Sequence, residues 1–426
     1  MNIIQIIPGS GGNFYCGNCL RDSKFYEAMK KLGHKVVKIP MYLPLFADEH
    51  DLNNIPVFYG AISVYLKQQF SVFRNAPGWF DKLLNAKPML KLAAKMSAST
   101  QATGLEDMTI SMLLGEEGKQ SHELDKMVNW IADNCRPDII HISNALLLGL
   151  AHKLKEKLDV PIVCSLQDED VWVDVMETKF RDKVWKLMSE KANDIDKFIS
   201  VSDYYAGISI DRMDLPKEKI QTIHLGVEPD EYIFMNSAEK PRNIGYISRM
   251  CHSNGLDILL DAFIDLKKKN EFHDVQLHLT GGSTGADKKF LKKINRKIKS
   301  NGLRDKVVFY DKFEGEERLK YFEQVSIISV PVRNGEAFGI YLAEAMAAGI
   351  PVVQPNLGAF PEIVKTSNGG IIYQENTPRQ LSNALQLMLN DNNNLEIASR
   401  NARSSAEKDF NIHNLAEQLV EVYNSF

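Results

Sequence analysis

The sequence predicts an α/β protein built as two halves, each a parallel sheet flanked by helices. Three observations carry that prediction. Short unbroken apolar runs alternate with segments of helical period near the start of the chain and again from residue 243 onward. That rhythm breaks between about residues 47 and 134, and a polar stretch with two prolines, Glu228–Arg242, separates the halves. The strongest single segment, Ser326–Val353, reads as buried strand, glycine loop, alanine-rich helix and next strand. Strands of a parallel sheet are covered on both faces, so they appear as continuous apolar runs and not as alternation.

The elements follow in order. Ile3–Ile7 is a buried-strand pattern that runs into Pro8-Gly9-Ser10-Gly11-Gly12-Asn13. Phe25, Ala28, Met29 and Leu32 recur at helical spacing, Gly33 stops that helix, and Val36–Ile39 is the next strand. The glycines do not have the G-x-G-x-x-G spacing, and no acidic residue follows the second strand where a ribose would need one. A dinucleotide-dependent dehydrogenase is therefore disfavoured. Cys16 and Cys19 form a C-x-x-C at the start of the first helix. Plain loop packing, a redox-sensitive dithiol and a metal site all remain readings of it, the last needing ligands that scattered Cys135, Cys164 and Cys251 do not supply at paired spacing.

Within the interruption, Lys67, Arg74, Lys82, Lys87, Lys91 and Lys95 stand against the single acid Asp81, interleaved with Phe70, Phe73, Trp79 and Phe80. Such a surface can hold an anionic acceptor at a membrane face or be a solvated insertion with its aromatics inside. Strand ends return at Ile142-Ser143, Leu166-Gln167-Asp168 and Val201-Ser202. His141 sits inside a strand and is expected to pack. Asp168-Glu169-Asp170 looks metal-like but is expected to be an acidic loop, because hard cations need more oxygen ligands. In the second half the expected strands are Asn243–Ser248, Val275–Thr280, Val307–Tyr310, Ile327–Val330 and Pro351–Gln354. Lys288–Lys299 carries seven basic residues and no acid, a pattern of a solvated helix face or of a phosphate-rich or membrane surface.

Composition bounds the class. A chain of 426 residues suggests two or three domains, and 44% hydrophobic with 25% charged residues is ordinary for a globular protein. The net charge of −4 gives no bulk attraction to nucleic acid. Five cysteines make no disulfide framework, the opening residues lack a basic n-region, and no apolar run approaches membrane-spanning length. The expectation is a cytoplasmic protein, with peripheral contact at the inner face of a membrane if the basic segments are used.

The loop and helix of Gly335–Val353 carry the chemistry. Gly335 and Gly339 let backbone approach a ligand, and the helix that follows opens its N–H groups toward an anion. Glu336 in the loop and Glu344 two turns on, with Phe338-Gly339 between and Glu-Ala-Met-Ala-Ala-Gly-Ile-Pro-Val-Val after, resemble the E-x7-E signature of the retaining, GT-B fold glycosyltransferases of family 4. The likeness continues through Gly358–Val364, and resemblance covers nearly the whole chain, weakest at residues 47–134.

That resemblance implies two Rossmann-like domains facing a cleft: residues 1–228 on the acceptor side with the helical insertion at about 47–134, residues 229–405 for the nucleotide sugar, and a final segment 406–426 returning to the first domain. It implies retaining, metal-independent transfer of a hexose-type sugar from a UDP-, GDP- or ADP-sugar to a glycan, lipid-linked or small-molecule acceptor, as in cell-envelope polysaccharide synthesis. Gly11 and Gly12 would approach the donor or acceptor, Arg249 would meet phosphate, and Gly282 would lie against the nucleotide. Ala337, Phe338 and Gly339 would line the diphosphate, with the N–H groups of the last two capping it. Glu344 would hold the ribose and Glu336 would orient sugar hydroxyls, with the leaving phosphate taking the acceptor proton. The chain departs from the family at three places. Gln167 and Ser143 stand where His is common, and Gln167 can hydrogen-bond a hydroxyl but not titrate near neutral pH. Asn254 stands where a second phosphate cation is usual, so Arg333 or His252 is expected to replace it. These departures keep open a non-catalytic sugar-nucleotide or partner-binding protein, and the C-x-x-C keeps open a redox protein.

Overall fold

The computed structural model describes residues 1–8, 17–41, 58–59, 104–312 and 315–426. Two six-stranded sheets, all parallel, organise them. The first is ordered β2-β1-β3-β4-β5-β6, with β1 Asn2–Ile7, β2 Lys35–Pro40, β3 Ile139–Ile142, β4 Ile162–Leu166, β5 Lys197–Ser200 and β6 Ile220–Thr222. The second is ordered β12-β11-β10-β7-β8-β9, with β7 Ile244–Ile247, β8 Leu277–Thr280, β9 Val307–Phe309, β10 Ile327–Ile328, β11 Val352–Pro355 and β12 Gly370–Tyr373. The apolar runs of β1, β3, β4, β7 and β8 are buried almost end to end, as helix-covered parallel strands require.

The chain divides into two compact units, residues 1–12, 25–223 and 417–426, and residues 13–24 and 224–416. The assignment of residues 13–24 to the second unit was not readable from the strand–helix rhythm. The polar stretch 228–242, expected as a linker, is packed within the second unit. Ser237 donates from its amide to Ser399 Oγ at 3.1 Å and from its hydroxyl to the Gly349 carbonyl at 2.9 Å. Arg403 Nη1 donates to the carbonyls of Pro229, Tyr232 and Ala347.

Three strands differ from expectation for identifiable reasons. β10 ends at Ile328 instead of Val330 because the Val330 amide is taken by the Gln354 side-chain oxygen at 3.3 Å and Pro331 follows. β6 and β12, neither of them expected as a strand, are sheet edges with few buried residues, so they carry no strong apolar signature. In both sheets the order reverses beside a central strand, between β1 and β3 and between β7 and β10. Open α/β sheets bind ligands outside the carboxyl ends of strands at such reversals. Among the described residues, no helix is long and apolar enough to cross a membrane.

Candidate active site

The β7–β10 reversal gathers most of the residues singled out from the sequence. Arg249 follows β7, Gly282 follows β8, and Arg333, Glu336, Ala337, Phe338 and Gly339 lie between β10 and the helix Ile340–Ala347, on which Glu344 sits. All belong to the second unit. Gln167 belongs to the first unit, at the end of β4, with its side chain buried. Gly11, Gly12, Cys16 and the basic segment 67–95 lie outside the described residues.

Gly339 caps the helix Ile340–Ala347 in the left-handed region, with φ 85°. A side chain there would meet Glu336 Oε2 at 3.0 Å and the Tyr341 ring at 3.2 Å. The absence of a Cβ is therefore what brings the Glu336 carboxylate against the mouth of the helix. The Phe338 ring is buried between His224 and Phe410, with centroids 5.7 and 5.8 Å away, which anchors this loop from behind. A second helix, Gly17–Lys31, starts close by: a Cβ on Gly17 would lie 3.5 Å from Ile340 Cγ2. The start of that helix thus lies against the first residue of Ile340–Ala347, and amide N–H groups at helix starts favour negative charge.

Glu344 is enclosed. Its side chain has no exposed surface, and its Oε1 accepts from the Tyr232 hydroxyl at 2.7 Å and lies 3.1 Å from Arg318 Nη1. Burial, then the Glu344 charge, pushes the Tyr232 phenol well above its ordinary pKa, so it stays a donor. The carboxylate expected to meet a ribose is therefore also a structural partner of two residues that spacing did not single out. Tyr232 and Arg318 are 112 and 26 positions from Glu344, so no local pattern joins them.

Arg249 is fixed by an acid. Its Nε and Nη2 donate to the two carboxylate oxygens of Asp287 at 2.9 and 3.0 Å, and Nη2 also reaches Thr284 Oγ1 at 3.0 Å. Asp287 and Thr284 form a reciprocal capping box ahead of the helix Lys288–Ser300. Burial alone would raise the Asp287 pKa, but its bonds from Arg249 and Thr284 hold it below the usual carboxylate range. The Thr-x-x-Asp pattern before a helical run was a legible signal for the cap; its hold on Arg249 was not. Beside it, Gly281 and Gly282 take left-handed conformations, with φ 115° and 71°, and a Cβ on Gly281 would collide with the Ser248 carbonyl.

The two candidates for the missing cation meet one carboxylate. Arg333 Nη2 reaches Asp257 Oδ2 at 2.5 Å while its Nε donates to the His252 carbonyl at 3.0 Å, and His252 Nε2 lies 3.7 Å from the same Asp257 oxygen. Asn254 turns its amide to Ser248 Oγ at 2.8 Å. In the first unit His141 packs as its strand position implied, sharing hydrogen bonds with Tyr423 Oη at 2.5 Å and Ser165 Oγ at 2.8 Å. Glu169 is buried and accepts from the amides of Ala145 and Gln167 and from the Tyr205 hydroxyl. Burial raises its pKa, and the bonds from the Ala145 amide and the Tyr205 hydroxyl offset part of the rise. Glu169 of the acidic triplet thus clasps its loop; among the described residues no group of three or more His, Cys, Asp or Glu is placed to hold a metal ion.

Two six-stranded parallel sheets, the second with a glycine-capped helix at its switch point, give the chain the fold seen in solved structures of GT-B glycosyltransferases. Residues 230–405 match the family described as Glycosyl transferases group 1, and residues 110–231 match Glycosyltransferase Family 4. An uncharacterized glycosyltransferase of Methanocaldococcus jannaschii is 28% identical over 49% of this chain and 54% of its own length. The lipopolysaccharide core biosynthesis mannosyltransferase LpsB of Rhizobium meliloti is 27% identical over 51% of this chain and 59% of its own. The chain thus spans little more than half the length of these relatives. Sucrose-phosphate synthase from Thermosynechococcus elongatus has the same fold, with a TM-score of 0.71, 18% identity and coverage of 100% of this chain and 98% of that one. Anabaena HepE in complex with UDP-glucose superposes with a TM-score of 0.69 at 17% identity over the full length of both chains.

Proposed function

We propose that the protein is a retaining, metal-independent glycosyltransferase that moves a hexose-type sugar from a nucleoside diphosphate sugar to a glycan, lipid-linked or small-molecule acceptor. The observation that carries this reading is the placement of Glu336 against the Gly339-capped helix start, a carboxylate and a set of amide donors side by side. A phosphate alone would be repelled by that carboxylate. A sugar diphosphate uses both, its pyrophosphate on the N–H groups of Phe338 and Gly339 and its sugar hydroxyls on Glu336. In this reading Arg249 stabilises the leaving charge, Arg333 supplies the second cation, Gly282 lies against the nucleotide, and Gln167 hydrogen-bonds a hydroxyl without acid–base work. One oriented donor to a developing anion is worth on the order of 3 kcal/mol. The similar lipopolysaccharide core mannosyltransferase LpsB of Rhizobium meliloti agrees with sugar transfer as the class.

The test is a thermal-shift and turnover screen across UDP-, GDP- and ADP-sugars, with the anomeric configuration of product or hydrolysed sugar read by NMR. One donor is expected to stabilise the protein by about 2.7 kcal/mol at a hundred times its dissociation constant, and Glu336→Gln to abolish turnover while donor binding persists. No stabilisation by any donor would overturn the reading. A second reading, a sugar-nucleotide binder without catalysis, is favoured by the engagement of both arginines with acids, Arg249 with Asp287 and Arg333 with Asp257. It predicts binding with no hydrolysis or transfer.

A further inference from the structure

The helix Lys288–Ser300 holds seven cations and no acid in its 13 residues. At about 100° per residue, Lys288, Lys299, Lys292, Arg296, Lys289 and Lys293 fall in that order within one arc of about 140°. All six are exposed. Ile294 and Ile298 occupy the opposite side and are buried. The seventh, Lys297, lies at the margin of the stripe and pairs with Asp261 on the helix Leu256–Lys267.

A solvated helix face ordinarily interleaves Glu with Lys, because opposite charges four residues apart stabilise and like charges repel. Here the spacing-four pairs Lys288–Lys292, Lys289–Lys293, Lys292–Arg296 and Lys293–Lys297 are all like-charged. The whole chain carries a net charge of −4, so this stripe is a segregated feature and not a reflection of a basic protein. Phe290, the one aromatic on the helix, is half-buried with its ring edge-on to His252, so the stripe has no stacking platform of the kind single-stranded nucleic acid uses. A straight row of cations with no apolar residue among them suits a flat anionic surface met through headgroup phosphates.

We infer that the exposed face of Lys288–Ser300 docks the protein on an anionic lipid bilayer by charge alone. The attachment places the membrane beside the phosphate candidate, because Asp287 at the head of this helix is the residue that grips Arg249. It does not depend on the identity of the sugar donor.

The experiment is co-sedimentation of the full chain with phosphatidylcholine vesicles, with and without phosphatidylglycerol, at about 0.05 M and about 0.5 M salt, where the screening length falls several-fold. Binding is expected only with phosphatidylglycerol and only at low salt. The variant Lys289→Glu/Lys292→Glu/Lys293→Glu/Arg296→Glu should lose binding at least tenfold, and the same four positions as arginine should retain it. Circular dichroism and thermal melting of each variant establish that it is folded. Equal binding to phosphatidylcholine alone, no binding to either vesicle, unchanged binding of the folded glutamate variant, or tighter binding to a duplex or single-stranded oligonucleotide than to the anionic vesicles would each overturn the inference.

Discussion

Arg249 and Asp287, 38 residues apart, form a two-pronged ion pair in which Nε and Nη2 of the arginine each meet a different carboxylate oxygen. The pair fixes the guanidinium plane, since a fork of two parallel hydrogen bonds removes the rotation that a single contact leaves. The same carboxylate closes the capping box of the 3-10 turn Gly285–Asp287 that leads into the helix Lys288–Ser300, so orientation of Arg249 and integrity of that turn are coupled. Asp287→Ala is expected to lower kcat/KM for the sugar donor by about ten- to a hundredfold through loss of positioning. It should also cost about 1 kcal/mol of stability from the lost cap. Steady-state kinetics beside a urea melt separate the two; an unchanged kcat/KM would make the pair purely structural.

Glu344 yields a different outcome because it is fully enclosed. Removing one member of a buried ion pair leaves the other uncompensated, at about 3–5 kcal/mol. Arg318→Met is therefore expected to destabilise the protein by about 3 kcal/mol, and Arg318→Met combined with Glu344→Gln to recover part of that loss. A double-mutant cycle measured by denaturant unfolding checks it, and additive losses would refute the coupling.

Gly339→Ala tests the loop geometry. Its φ of 85° costs a side-chain-bearing residue about 1–2 kcal/mol, and the new methyl would displace Glu336 Oε2, 3.0 Å from its site. The melting temperature should fall by a few degrees while turnover falls far more. A loss of stability with full turnover would show that Glu336 tolerates the shift.

His278 supplies a pH dependence. It lies buried in β8, shares a hydrogen bond with Tyr310 Oη at 2.9 Å, and burial lowers its pKa from 6.5 to about 4. The fold therefore favours the neutral ring. The stability it contributes is fully present above about pH 6.5 and is lost as the pH falls through about 4. His278→Phe should reduce the stability difference between neutral and mildly acid solution by about 1 kcal/mol. Urea midpoints at the two pH values read this directly, and an identical acid slope in the variant would remove His278 from the account.

Much of the architecture was legible because parallel strands leave long apolar runs and helices leave periodic ones, so both sheets and the Gly335–Val353 loop and helix could be placed from residues alone. The β12 edge strand escaped because half-exposed strands need no such run. The early end of β10 escaped because a side chain 24 positions away captures its amide.

By itself the sequence determined which backbone elements form, where the glycine-capped helix begins, and which residues stand at the carboxyl ends of strands, since these follow from local period and backbone freedom. Only the tertiary structure decided what those residues touch. It gave Arg249 to Asp287, Arg333 to Asp257, and Glu344 to Tyr232 and Arg318. Ion-pair partners are chosen by through-space distance between strands and helices brought together by packing, and no spacing along the chain encodes that distance.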